Sequence, residues 1–568
     1  SMSRGLGDVY KRQAQYYHAE AQADGAIEDY EEAARWYRKY LAFFPGEVDT
    51  ANTNFLLAEI LYESNNYAEA MTEYERTAYA YPMHEKSAEA GYAALLAYQQ
   101  HEATLDGDTK TAWHQQYLDS GLRFADTYPE HPESGAVLTT VAEDLFAQNQ
   151  FDLAIAVGST VIQKQPPVEP ELARTAWTVV AHSQFDLANY AEAEQAYYQL
   201  RNVTPVDDTA ATEEIKERIA SSIYKQGEQA RDAGDLETAV VHFQRLGQVV
   251  PDSEFRATAE YDAAAALITM ASWDRATGVL EQYRRDYPDS EFADEINEKL
   301  AVTYMESGRG LEAAGEFERI AVAETSDDAV RREALWKAAE LYEENGAISA
   351  EKRVLGDIVA RYPNPLSESI EARFRLLEIA EAGGNNDEIN ARLRELVDVD
   401  ARAGAQRSDR TRYLAAVASI RLADPVRKRF EVMKLTQPLA ESMKLKRALM
   451  EDVIDAYTGA AEYGVAEVTT ESTYRLAQVY EVFGRDVMES ERPTDLDADA
   501  LEQYELLLEE QVFPIEEKAI ELYRANTDRA PDGIWDEWVE RSFNRLAGLM
   551  PARYAKTERS EDVVTALY

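Results

Sequence analysis

The chain has 568 residues, 106 of them acidic against 58 basic, a net charge of −48 and no cysteine. The length exceeds the roughly 250–300 residues that one hydrophobic core usually sustains, so several domains or a repeat are expected. The charge excludes nucleic acid as a partner, since phosphate is bound through Lys and Arg; the absence of cysteine excludes disulfides, thiol catalysis and Cys-based metal centres. Such acidity suits either a basic partner or a strongly solvated surface, with adaptation to salt as one source of the latter. No stretch alternates apolar and polar over a strand length, and the helical period dominates throughout, which predicts an all-α protein.

In chain order, residues 1–7 read as a tag remnant and disordered start, with room ahead of them for a signal peptide or anchor. No apolar run approaches the roughly 18 residues needed to cross a bilayer. From residue 8 a repeat begins. The phrase Asn-Tyr-Ala-Glu-Ala occurs at Asn66–Ala70 and again at Asn189–Ala193, and each copy is followed by a tyrosine (Tyr74, Tyr197) and a proline (Pro82, Pro205). Ala33, Ala154, Ala239, Ala276 and Ala313 continue the series, with small residues Ala58, Ala142, Ala181, Gly227, Ala264 and Ala301 in a matching upstream position. Two helices per unit, touching at small residues and sealed by an aromatic one turn on, explain the pattern. The proline ends the second helix. Ser64-Asn65-Asn66, Ala188-Asn189, Ala233-Gly234-Asp235 and Ser307-Gly308-Arg309 are the turns between helices, rich in residues that leave a helix through a left-handed conformation. Longer connections or helix extensions are expected at His101–Lys110 and Asp207–Lys216.

Small residues at the eighth and twentieth places, an aromatic at the twenty-fourth and a proline at the thirty-second resemble the tetratricopeptide repeat family. The resemblance implies an α-solenoid, a right-handed superhelix of helix-turn-helix repeats, with about ten units over residues 8–400. Later units are degraded: Glu351 stands where the packing alanine belongs, although Ala339, Tyr342, Leu355 and Pro363 hold the frame. The phrases DYPDS, VVPDS and RYPNP resemble the bacterial envelope branch, the outer-membrane assembly lipoprotein and Tol–Pal coordinator proteins. Residues 401–568 form a helical C-terminal region, in which Pro514 should kink or divide a long helix. Its closing block is similar to the ending of long proteobacterial repeat proteins that accompany TolQR- or ExbBD-type motors or gliding-type machineries.

Catalytic and metal chemistry find little footing. The seven histidines are scattered, without the His-Glu-x-x-His spacing of a zinc site, and no Gly-rich phosphate loop occurs. Asp495, Asp497 and Asp499 alternate as in a calcium loop, but Ala500 replaces its glycine and Leu506 its bidentate Glu; acidic residues at a helix start account for them. Glu489-Ser490 and Gly548-Leu549-Met550 are similar to phrases of lytic transglycosylases, yet too far apart for that family's catalytic lobe, with Pro551 in place of its Gln. No cofactor is expected.

By the resemblance, the first helix of each unit projects its second, fifth, ninth, twelfth and thirteenth residues onto a concave face. These are Asn52, Phe55, Glu59, Tyr62 and Glu63 in one unit and Thr175, Thr178, His182, Phe185 and Asp186 in another. The Lys, Arg and Asn of the chaperone-tail clamp are missing, and aromatic residues among acids suit a peptide or helix carrying Lys or Arg. Trp535 and Trp538, three apart and expected on one helix face, offer a second surface. The expected function is a non-enzymatic interaction scaffold of a Gram-negative envelope. It would be periplasmic, with motor or outer-membrane proteins among its partners; a cytoplasmic adaptor or co-chaperone-like regulator is the alternative, and a transglycosylase a remote one.

Overall fold

Ala33, Ala70, Ala154, Ala193, Ala239, Ala276 and Ala313 are fully buried, as are Ala58, Ala142, Ala181 and Ala264. The residues set to seal them, Tyr37, Tyr74, Tyr197, Phe243 and Leu280, are buried too, each contributing about 1.5–3 kcal/mol of apolar burial. These contacts build an all-α fold of tetratricopeptide-type helix pairs. The computed structural model describes residues 2–323 and 327–556. The chain divides into two compact units, which part between Pro288 and Asp289.

The first unit holds α1 (Met2–Asp24), α2 (Ile27–Phe43), α3 (Thr50–Glu63), α4 (Tyr67–Tyr79), α5 (Ser87–Glu102), α6 (Gly107–Thr127), α7 (Ser134–Ala147), α8 (Phe151–Gln163), α9 (Pro170–Asp186), α10 (Tyr190–Val203), α11 (Thr209–Asp232), α12 (Leu236–Val249), α13 (Arg256–Thr269) and α14 (Trp273–Asp286). The second holds α15 (Ala293–Glu306), α16 (Gly310–Ile320), α17 (Asp328–Glu344), α18 (Ile348–Arg361), α19 (Leu366–Gly383), α20 (Asn386–Arg402), α21 (Asp409–Val432), α22 (Leu439–Ala461), α23 (Ala466–Met488), α24 (Ala498–Thr527), α25 (Glu537–Leu549) and the single turn α26 (Pro551–Tyr554). Within each unit a helix packs mainly on its neighbours in sequence, as in a quasi-one-dimensional stack. Among the described residues there is no strand.

Gly227 shows why the eighth place must be small. A Cβ there would sit 2.5 Å from the Phe243 ring, so α11 and α12 touch where only hydrogen fits. The turns close as their composition requires. Asn65, Asn149, Ala188 and Ala271 have φ of 62°, 60°, 59° and 54°, and Gly234, Gly308 and Gly346 hold the corresponding place in other pairs. The next amide reaches back to the preceding helix, as with Asn66 N–H to the Leu61 carbonyl and Asn189 N–H to that of Gln184, both at 2.9 Å. Alanine tolerates this conformation poorly, at a cost of about 1–2 kcal/mol. Ala188→Gly is therefore expected to stabilise the first unit, by about 0.5–1 kcal/mol once glycine's larger unfolded-state entropy is subtracted. Chemical denaturation followed by circular dichroism checks this, and an unchanged or lowered midpoint would contradict it.

The start is helical from Met2: Tyr10 packs on Trp36 at 5.5 Å between ring centroids, and Gly7 lies against Tyr40 and Phe44, so aromatic contacts draw the first helix onto the second. The expected boundary at residue 400 lies inside the second unit, Asp289–Tyr568. Pro514 does not divide its helix, for α24 runs unbroken through it. Pro514 and Glu510 are exposed, so the carbonyl left without an amide partner faces water. The two long segments appear as extensions, α6 with 21 residues and α11 with 24.

Candidate functional site

The proposed groove residues of α3 are largely engaged within the first unit. Phe55 is buried against Tyr74 at 5.9 Å, and Tyr62 packs on Tyr67 at 5.2 Å. Glu63 is exposed, yet it accepts from Gln22 Nε2 at 2.8 Å and lies 3.4 Å from His18 Nε2, both on α1. Asn52 is half-buried. Glu59 accepts from the Tyr74 hydroxyl, and burial holds its carboxyl above the usual range, with Glu63 and Glu89 adding to the shift against the lowering by Tyr74 and His18. A raised carboxyl pKa means the fold disfavours the charged form; the penalty is complete above the folded pKa and fades as pH falls toward the ordinary glutamate value of 4.5. Glu59→Gln should therefore raise the melting temperature at pH 7 and lose that advantage near pH 4. A parallel gain at both values would exclude the burial effect.

On α9, Thr178 donates to the Arg174 carbonyl at 2.9 Å, and Phe185 packs on Tyr190 at 5.1 Å. His182 lies between Phe146 and Tyr197, at 6.0 and 5.7 Å. Burial, then Arg218, pushes its pKa down, so the ring is neutral at pH 7. Thr175 is half-buried and Asp186 exposed.

Trp535 and Trp538 do not share a helix face. Trp535 precedes α25 and is 61 % exposed, touching Phe543 at 5.6 Å. The helix begins only after Asp536, whose carboxylate accepts from the Trp538 and Val539 amides at 3.0 and 2.9 Å. Trp538 packs on Tyr474 at 5.5 Å with Arg475 and Arg541 over its ring. An N-cap carboxylate between the two tryptophans breaks the helical spacing they were expected to keep.

A groove in the second unit lies on the first helices α15, α17 and α19, with side chains from α16, α18 and α21. Trp336 stands between two cavities of about 280 and 570 Å³. The smaller is bordered by Glu340, Glu343, Phe374, Glu378 and Arg410, the larger by Glu298, Met305, Phe317 and Val330. Trp336 is half-buried and its indole Nε1–H, shielded from solvent, meets no acceptor among the described residues, a costly state for a buried donor. Arg410 pairs with Glu371 and spreads over Phe374 at 5.3 Å. Arg375 is held by Glu351 at 2.9 Å, by Glu378 at 3.1 Å and by Glu343. The two cavities are lined by seven carboxylates (Glu298, Glu333, Glu340, Glu343, Glu351, Glu371, Glu378) against three cations (Lys337, Arg375, Arg410), leaving a surplus of four negative charges. The signal was present in sequence: counted with Ala339 at the eighth place, the fifth, ninth and twelfth residues are Trp336, Glu340 and Glu343.

Among the described residues no group of three or more His, Asp or Glu could hold a metal ion, and no helix is long and apolar enough to cross a membrane. Asp497 caps α24 by accepting from the Ala500 amide at 2.9 Å, which is the role acidic residues at a helix start fill.

Residues 216–381 match the sequence profile of the YfiO family, an outer membrane lipoprotein. None of the curated proteins matches the chain. Among solved structures, a tetratricopeptide repeat protein from Parabacteroides merdae is 14 % identical, covering 51 % of this chain and 99 % of that one, at a TM-score of 0.23. A chain from the structure of Naa15/Naa10 bound to HypK-THB is 13 % identical, covering 97 % of this chain and 89 % of that one, at a TM-score of 0.26.

Proposed function

From an all-α fold of tetratricopeptide-type helix pairs, we propose that this chain is a non-enzymatic protein-interaction scaffold of a Gram-negative cell envelope. It acts in the periplasm and holds basic segments of partner proteins along the first helices of its pairs. The observation that carries the reading is the groove at Trp336, where an aromatic face and a surplus of carboxylates meet. A Lys or Arg of an extended peptide would offset that surplus, with its aliphatic stem on the face of Trp336. Asn52, Phe55, Glu59, Tyr62, Glu63, Thr178, His182, Phe185 and Asp186 are proposed as a separate partner surface of the first unit, and Trp535 with Trp538 as another of the second. The match of residues 216–381 to an outer membrane lipoprotein family supports the envelope placement, and partners in a proton-driven Tol/Exb-type or gliding-type complex are its finer form.

The test is capture from envelope extracts by the intact chain and by Trp336→Ala/Glu340→Gln. Envelope proteins retained by the first and lost by about tenfold with the second, a loss of about 1.4 kcal/mol, are the expected result. Retention of cytosolic proteins alone would favour the cytoplasmic adaptor instead. Equal capture by both chains would remove the groove from the reading.

A further inference from the structure

The solvent face of α24 carries a second surface, separate from the Trp336 groove. Leu506, Leu507 and Phe513 are 56, 57 and 60 % exposed, and Pro514 beside them is exposed as well. At 100° per residue, Leu506 and Phe513 fall on one line and Leu507 and Pro514 on a second beside it. The helix's opposite side, through Leu508, Val512 and Ala519, is the one buried against the second unit. Large apolar residues gathered on a solvent face, rather than scattered, mark an interaction surface.

Charge decides what covers it. Glu510 and Glu517 lie within the stripe, with Glu502 and Glu509 along its edge, and none of these four forms an ion pair among the described residues. A second copy of the same face would oppose carboxylate to carboxylate, and an anionic bilayer would be repelled likewise. We propose that the exposed face of α24 docks an amphipathic helix of a partner protein, with leucine-type residues meeting Leu506, Leu507 and Phe513 and Lys or Arg meeting Glu510 and Glu517.

The probe is a fluorescent amphipathic peptide of about eighteen Leu and Lys residues, about five helical turns. A scrambled peptide of the same composition controls for the chain's overall charge. Anisotropy with the full chain should show the amphipathic peptide bound at least about tenfold more tightly than the scrambled one. Leu506→Ser/Phe513→Ser, which changes no charge and touches only exposed side chains, should abolish that discrimination; Trp336→Ala should keep it. Equal binding of both peptides, or discrimination that survives the double substitution, overturns the proposal. So does sedimentation showing a dimer that the double substitution dissolves, since the face then belongs to a second copy. Loss of discrimination in Trp336→Ala alone would assign the peptide to the groove.

Discussion

Lys446→Met is expected to destabilise the helices from α21 to α24 by about 3–5 kcal/mol. The Lys446 side chain is fully buried, its Nζ donating to the Phe430 and Met433 carbonyls at 3.1 and 2.6 Å and to the Asp486 carboxylate. The ammonium also lies 4.6 Å from the centre of the Phe430 ring. Asp486 is 3 % exposed and its other cation, Lys434 at 3.9 Å, is mostly in solvent, so removing Lys446 leaves a core carboxylate and two carbonyls poorly compensated. A buried charge left alone costs more than the pair contributes, and Lys446→Met/Asp486→Leu should accordingly recover most of the loss. A chain built of nearest-neighbour contacts need not melt in one step, so native-state hydrogen exchange on α22 and α23 is the suitable readout. Unchanged protection in the single variant would show the pair to be dispensable.

The second large effect is expected at Arg375→Met. Glu351 is 3 % exposed although it occupies the alanine place of its pair, and the Arg375 guanidinium at 2.9 Å is what neutralises it. Without that arginine the loss should again be about 3 kcal/mol or more. Arg375→Met/Glu351→Ala, which restores the residue other pairs carry, should be as stable as the parent or better. Thermal unfolding of the three chains decides the matter; a double variant as weak as the single one would place the effect in Glu343 and Glu378 instead.

These two pairs show where the sequence could and could not be read. Helix pairing was legible because it rests on local spacing: Ala70 and Ala193 had to be buried if Tyr74 and Tyr197 were to close over them. Left-handed turns at Asn65 and Gly234 followed from composition for the same reason. Glu351 looked like decay of the repeat, because the arginine that makes it tolerable lies 24 positions away, on the next pair. The groove suffered from that same misreading: Trp336 obeys the frame, but the frame seemed to lapse one helix later. Trp535 and Trp538 failed by a different route, since three-residue spacing implies a shared face only within a helix and Asp536 starts one between them. The split at Pro288 falls within the phrase DYPDS, a mark that RYPNP and VVPDS share, so spacing alone does not single it out.

The left-handed turn also sets a rule for length. One residue removed between α3 and α4 would rotate the second helix by about 100° and carry Ala70 off the contact with its partner. These turns therefore act as counters, and insertions or deletions within them should be purged. The α5–α6 pair fits: its connection, Ala103–Asp106, is longer, and that pair is missing from the alanine series. An inserted reporter domain belongs after a helix-ending proline such as Pro82, and a screen of insertion sites along the chain should map the pairs as alternating permissive and forbidden joints.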